Sequence, residues 1–262
     1  MKKQLTEELS NKMLQLYKQG LTDPEIGNII NKSRSFVFRW RTEMELPSYK
    51  HKRKLQAISK PISDELFSAI IGILMGDGCI QYYPKHRWVN PKLKIDHCIQ
   101  QREYAIQLYT LLKPINSHIK LYTRTNNFSK SKVNIYTVTT DANPDLFSIY
   151  NEFYKDGIKH IPINCIDKFN AITLAYWFMD DGYMYHNKKD ISIRICTDCF
   201  LKDELEILCE KLKEKFNLHF TIILRKVKDR TYWRLRLSTK DTKSFITLVK
   251  PYMCKSLLYK LK

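Results

Sequence analysis

Acidic residues are scarce. The 262-residue chain has 27 Asp and Glu against 45 Lys and Arg, a formal charge of +18. A surface that balances its own charge is therefore excluded, and an acidic partner is implied. Long apolar runs are missing too. The longest uncharged stretches, around 66–76 and 171–179, fall well short of the roughly 20 residues needed to span a membrane. The N-terminus, MKKQLTEELSNKM, lacks the apolar core of a secretory signal. Half a zinc motif is present and its complement is not: Cys196 and Cys199 stand in CTDC, but no second CxxC or HxxxH follows. Seven cysteines, an odd number, without an export signal imply reduced, structural thiols. These absences leave a soluble, intracellular protein with no membrane partner, and nucleic acid is the acidic partner that fits.

What is there begins with three short helical patterns. LTEELSNKMLQLYKQG carries Leu9, Met13, Leu16 and Tyr17 at helical spacing and ends on Gly20. In TDPE, Thr22 can cap a second helix, with Pro24 in its first turn and Glu25 at the third helical position. Ser33 can cap a third helix bearing Arg34, Arg39 and Arg41. The arrangement reads as a helix-turn-helix domain over 1–45, similar to the trihelical units of resolvases, with the arginines placed to enter a major groove. A solvated three-helix bundle is the plainer alternative. Residues 46–62 form a basic linker, and its Lys50, Lys52, Arg53 and Lys54 suit a phosphate backbone.

From residue 63 the chain reads as one plan written twice, helix, two strands, helix, two strands, helix, over 63–160 and 161–262. A fold of two pseudo-symmetric αββαββα subdomains, α+β in class, is expected. Period-two alternation gives each strand an apolar face and a polar one. The polar faces carry Lys92 and Lys94, then Lys120, Tyr122 and Arg124, and in the second copy Arg194, Arg225, Tyr232, Arg234 and Arg236. Antiparallel ribbons with cationic outer faces fit a major groove.

Each copy opens with an apolar helix that finishes on a carboxylate: AIIGILMGDG ends in Asp77 and Gly78, LAYWFMDDG in Asp181 and Gly182. A helix C-terminus disfavours negative charge by roughly 0.3–1 kcal/mol. If the two helices pack side by side, Asp77 and Asp181 meet at one end and repel. Together with the free carbonyls at the helix ends, at Gly76 and Asp180, they form a set of hard oxygen donors suited to Mg²⁺.

IIGILMGDG and LAYWFMDDG resemble the two signature helices of the single-chain LAGLIDADG homing endonucleases, and the resemblance covers 63–262. It implies that the last aspartate of each motif, Asp77 and Asp181, binds metal, Mg²⁺ with Mn²⁺ able to substitute. It implies a lysine from each half near the scissile phosphates; Lys159 in KHIP and Lys260 in LYKL lie 82 and 79 residues beyond their aspartates. It further implies a monomer that cuts both strands of a long duplex target, leaving short 3′ overhangs. The sequence departs from the motif at Tyr176 and Asp180, which stand where the first copy has Gly72 and Gly76, so full symmetry is not expected. Two other functions are open on the same scaffold: a maturase that binds intron RNA, and a DNA-binding regulator without catalysis.

Overall fold

The computed structural model describes residues 6–48, 59–83, 90–125, 131–186 and 191–262. The chain divides into two compact units, residues 1–58 and 59–262. In the first, α1 (Glu7–Lys18), α2 (Asp23–Ile29) and α3 (Arg34–Glu43) surround a small core of Met13, Tyr17, Ile26, Val37 and Trp40. The caps sit where the sequence places them: Ser33 Oγ accepts the Phe36 N–H, and Glu25 accepts the Thr22 N–H at 2.6 Å.

One arginine departs from expectation. Arg41 does not face solvent for DNA; it is buried, forks onto both oxygens of Asp23 at 2.7 and 3.0 Å, and donates to the Leu46 carbonyl. Burying a guanidinium requires such a partner, so Arg41 holds α3 onto α2. Arg34 and Arg39 remain exposed on α3. Lys50, Lys52, Arg53 and Lys54 lie outside the described residues.

The second unit starts with Ser59, whose hydroxyl donates to the Asp145 carboxylate at 2.7 Å. Its first half runs α4 (Asp64–Met75), β1 (Cys79–Gln81), β2 (Lys92–Cys98), α5 (Arg102–Leu111), β3 (Ser117–Thr125), β4 (Lys132–Thr140) and α6 (Leu146–Phe153), then the short pair β5 (Tyr154–Lys155) and β6 (Ile158–Lys159). Its second half repeats the order with α7 (Ala171–Asp181), β7 (Gly182–His186), β8 (Ile191–Ile195), α8 (Lys202–Phe216), β9 (Phe220–Val227), β10 (Arg230–Leu237) and α9 (Thr239–Val249), closing in 3-10 turns over Lys255–Leu261. Each half holds one antiparallel four-stranded sheet, ordered β1-β2-β4-β3 and β7-β8-β10-β9. No described helix is long and apolar enough to cross a membrane.

The motif helices α4 and α7 lie at the centre of one shared core, apolar nearly all round because other elements cover them on every side. They approach so closely that a Cβ on Gly72 would stand 2.3 Å from the Thr173 carbonyl oxygen, a distance no side chain tolerates. At their starts, the Thr173 hydroxyl donates to the Ser68 carbonyl and Asn170 to the Ser68 hydroxyl, at 3.0 and 2.9 Å. These ties fix the register in which the two helix ends meet.

Candidate metal centre and nucleic-acid interface

Helix α4 stops at Met75, with Gly76 as its cap, so Asp77 stands just outside the helix; Asp181 is the last residue of α7. Two lysines relieve the negative helix ends. Lys159 Nζ donates to the Gly76 and Gly78 carbonyls at 3.1 and 2.9 Å. Lys260 Nζ donates to the Asp180 carbonyl at 3.0 Å and to that of Met179. Each lysine thus returns to the end of its own half's motif helix. Burial lowers both ammonium pKa values, and the neighbouring carboxylates work against that.

The carboxyls gather at the same place. The Asp77 side chain is 48% exposed. Asp181 is pushed up to about 7, first by burial and then by the charge of Asp77, against the pull of Lys159 and Lys260. The Asp180 side chain is wholly buried, and burial together with Asp77 holds it well above the usual carboxylate range. Its Oδ2 accepts the Asp77 backbone N–H at 3.2 Å and its Oδ1 accepts the Tyr104 hydroxyl at 2.9 Å. Such a concentration of acid is what a divalent cation neutralises, and the donors present are hard oxygens. The Gly76 and Asp180 carbonyls, although bonded to lysine, each keep a second lone pair.

His97 completes this corner, and sequence reasoning missed it. On β2 it shares the inward face with Leu93 and Ile95. Its Nδ1 lies 3.9 Å from Asp77 Oδ2 and 3.2 Å from Gln101 Oε1, and its Nε2 lies 3.9 Å from Asp180 Oδ1 without a hydrogen-bond partner. Burial lowers its pKa, keeping the imidazole neutral in spite of Asp77. Asp77, His97 and Asp180 are the one group of three or more metal-ligating side chains found among the described residues. Cys196 and Cys199 join no such group there, and burial raises both thiol pKa values, which fits inert thiols.

The outer faces of the sheets carry the expected cations in unequal states. Lys120, Tyr122 and Arg124 stand exposed on β3, where even Leu121 is 52% exposed. Lys92 and Lys94 are half-buried, with Lys94 paired to Asp96 at 2.9 Å. In the second half Arg194 stacks 3.5 Å over the Tyr185 ring. Arg225 is exposed, whereas Tyr232 and Arg236 are half-buried on β10. Arg234 is not the free side chain its alternation suggests: its Nε and Nη2 both donate to Asp198 at 2.7 Å.

The comparisons with known proteins agree with this arrangement. A probable intron-encoded endonuclease of Wickerhamomyces canadensis is 31% identical over 224 residues, which is 80% of this chain and 88% of that protein. A cytochrome b mRNA maturase of Debaryomyces hansenii is 26% identical over 208 residues, 78% of this chain and 76% of its own. Among solved structures, the homing endonuclease I-WcaI bound to its DNA recognition sequence matches with a TM-score of 0.70 and 26% identity, over 82% of this chain and 92% of that one. Residues 67–245 match the LAGLIDADG DNA endonuclease family as a whole. With two motif helices side by side and a sheet on each half, this chain belongs to the LAGLIDADG DNA endonuclease family.

Proposed function

We propose that the chain is a monomeric, site-specific homing endonuclease that makes a double-strand break in a long DNA target and leaves 3′ overhangs. The observation that supports this reading is that the ends of two packed helices bring Asp77 near enough for its charge to raise Asp181, with Lys159 and Lys260 on the carbonyls beside them. The donor set fits Mg²⁺, or Mn²⁺ in its place, held by Asp77 and Asp181 with the Gly76 and Asp180 carbonyls as further candidates. When bound, the cation would supply charge that draws a scissile phosphate and an attacking water together. Lys159 and Lys260 each spend two of three N–H donors on carbonyls, which leaves one to meet charge developing on phosphate. The ribbon cations hold the duplex, and Arg34 and Arg39 of the first unit are further candidates for phosphate contact.

The test is cleavage of a randomised duplex library in Mg²⁺, with the cut ends sequenced, for the wild type and for Asp77→Asn and Asp181→Asn. The wild type should select one long site, and each variant should bind that site yet cut it at least about a hundredfold more slowly. Near wild-type cutting by either variant overturns the two-carboxylate centre. A second reading rests on the maturase among the relatives: binding of intron RNA, which a gel shift on the host intron tests separately. Both aspartates and both lysines are present, which speaks against a regulator without catalysis.

A further inference from the structure

Gly76 and Asp180 hold the same place in the two motifs, immediately before Asp77 and Asp181. The replacement is fitted to its surroundings. A Cβ on Gly76 would stand 2.4 Å from the Asp180 Cβ, so the side chain of one motif fills the space that the other leaves bare. From there the Asp180 carboxyl reaches into the first half, where Tyr104 of α5, the Asp77 N–H and His97 of β2 surround it. Both of its oxygens are turned to protein donors, and its side chain has no exposure at all.

Asp77 needs such a hold. It lies between Gly76 and Gly78, whose N–H groups reach the Ile73 carbonyl at 3.2 and 2.9 Å and whose carbonyls take Lys159, so the Asp77 N–H is the donor of this turn that falls to Asp180. Asp181 is instead the last residue of a regular helix, and its carbonyl accepts the Cys196 N–H at 3.0 Å.

We infer that Asp180 is a positioning residue: its side chain, rather than ligating metal, fixes the Asp77 backbone across the boundary between the halves, so that the two metal-binding carboxylates are held by unlike means. Gly76 can return no such contact to Asp181. The two strands of a target therefore depend unequally on Asp180. The inference rests on the endonuclease reading for its strand-resolved consequence, but not for its effect on metal binding.

Asp180→Asn and Asp180→Ala separate the roles. Asparagine keeps the Asp77 N–H on its Oδ1 and can reverse the other contact, its Nδ2 donating to the Tyr104 oxygen, while losing the negative charge that would make this side chain a strong ligand for a divalent cation. Calorimetric titration of the free, full-length protein with Mn²⁺ should show affinity kept in Asp180→Asn and lowered about tenfold in Asp180→Ala, the scale of a lost supporting contact. In single-turnover cleavage of a supercoiled plasmid with one target, Asp180→Ala should slow one strand more than the other, so that nicked circles accumulate. Asp180→Asn, which keeps the contact to the Asp77 N–H, should restore the balance between the strands that Asp180→Ala loses. Tyr104→Phe should slow the same strand by less, and it carries the strand test should Asp180→Ala fail to fold. Loss of Mn²⁺ binding in Asp180→Asn as severe as in Asp77→Asn would overturn the inference in favour of direct ligation. Equal slowing of both strands would overturn it in favour of a merely structural role. If the wild type cuts neither strand, the endonuclease reading fails while the Mn²⁺ titration still decides the role of Asp180.

Discussion

Each sheet of the second unit has an acid that gathers cations of its outer face, Asp96 in one and Asp198 in the other, and the two are placed differently. In the first half Asp96 sits within β2 and gathers Lys94 at 2.9 Å, the Thr137 hydroxyl at 2.6 Å and Arg124 at 3.7 Å. In the second half Asp198 lies just past β8 and takes the whole fork of Arg234 at 2.7 Å, with Arg225 at 3.6 Å. The register shows that these are different positions. Asp77 and Asp181 anchor the equivalence: two residues on, Cys79 pairs with Lys94 and Tyr183 with Arg194. Lys94 thus matches Arg194, Asp96 matches Cys196, and Cys98 matches Asp198. A cation-rich ribbon needs an acid to aim its long side chains, and either of two places serves. A lysine held by Asp96 is a point charge, whereas an arginine held bidentately has a fixed plane. The second sheet therefore holds its arginine in the more rigid way, which on the proposed function makes it the more rigid reader.

The largest effect should come where the halves agree. Lys159→Met and Lys260→Met remove equivalent donors, and each should lower the single-turnover rate about a hundredfold while leaving target affinity nearly unchanged. Weaker binding at an unchanged rate would reassign both to phosphate contacts.

A smaller effect sharpens the difference between the carboxylates. In the folded, metal-free protein Asp181 is pushed up to about 7, above the roughly 3.9 of an unfolded aspartate. The native state therefore holds a proton that the unfolded state has released. Asp181 stabilises the fold at acid pH, and that contribution is lost as pH rises towards and through 7. Asp180, raised likewise, acts with the same sign. Thermal melts without metal should show Tm falling from pH 5 to pH 8, with Mg²⁺ restoring more at pH 8 than at pH 5. Asp181→Asn should flatten the dependence, and an unaltered slope would remove Asp181 as its source.

The smallest effect tests the two sheets against each other. Asp198→Ala should relax preference at particular base pairs, on the scale of about 1–3 kcal/mol per bidentate contact. Asp96→Ala should change affinity more evenly across targets. A panel of singly substituted duplexes distinguishes them, and equal profiles would mean that both acids only adjust net charge.

The motif helices and the ribbons were legible because each leaves a periodic trace, glycines four apart on a helix face and alternation along strands, whereas the two lysines came through the family resemblance, their 82- and 79-residue distances from the aspartates in support. What escaped were contacts between segments distant in the chain. Arg41 looked like its neighbours on α3, and nothing local reveals that Asp23, on another helix, meets it in the core. Tyr104 reads as an ordinary helical aromatic until Asp180 arrives from 76 positions away. His97 did leave a signal, since its parity with Leu93 and Ile95 turns it inward. Asp96 and Asp198 left one too, as rare acids beside basic strands. The awkward placement of a carboxylate at a helix end resolves locally: α4 ends before Asp77, and Lys159 occupies the carbonyls that would repel it.

The fit of Asp180 against Gly76 also governs how the two halves of the second unit can be recombined. Paired with a copy of itself, the second half would bring two Asp180 side chains to one point, where even a single Cβ added opposite Asp180 would stand only 2.4 Å away. A first half paired with itself would have glycine opposite glycine, and its Tyr104 hydroxyl would lose the carboxyl that now receives it. The halves are thus lock and key to one another and neither is its own partner. A chimaera built by exchanging either half between relatives must carry this pair of residues together, or supply small against large at the same contact.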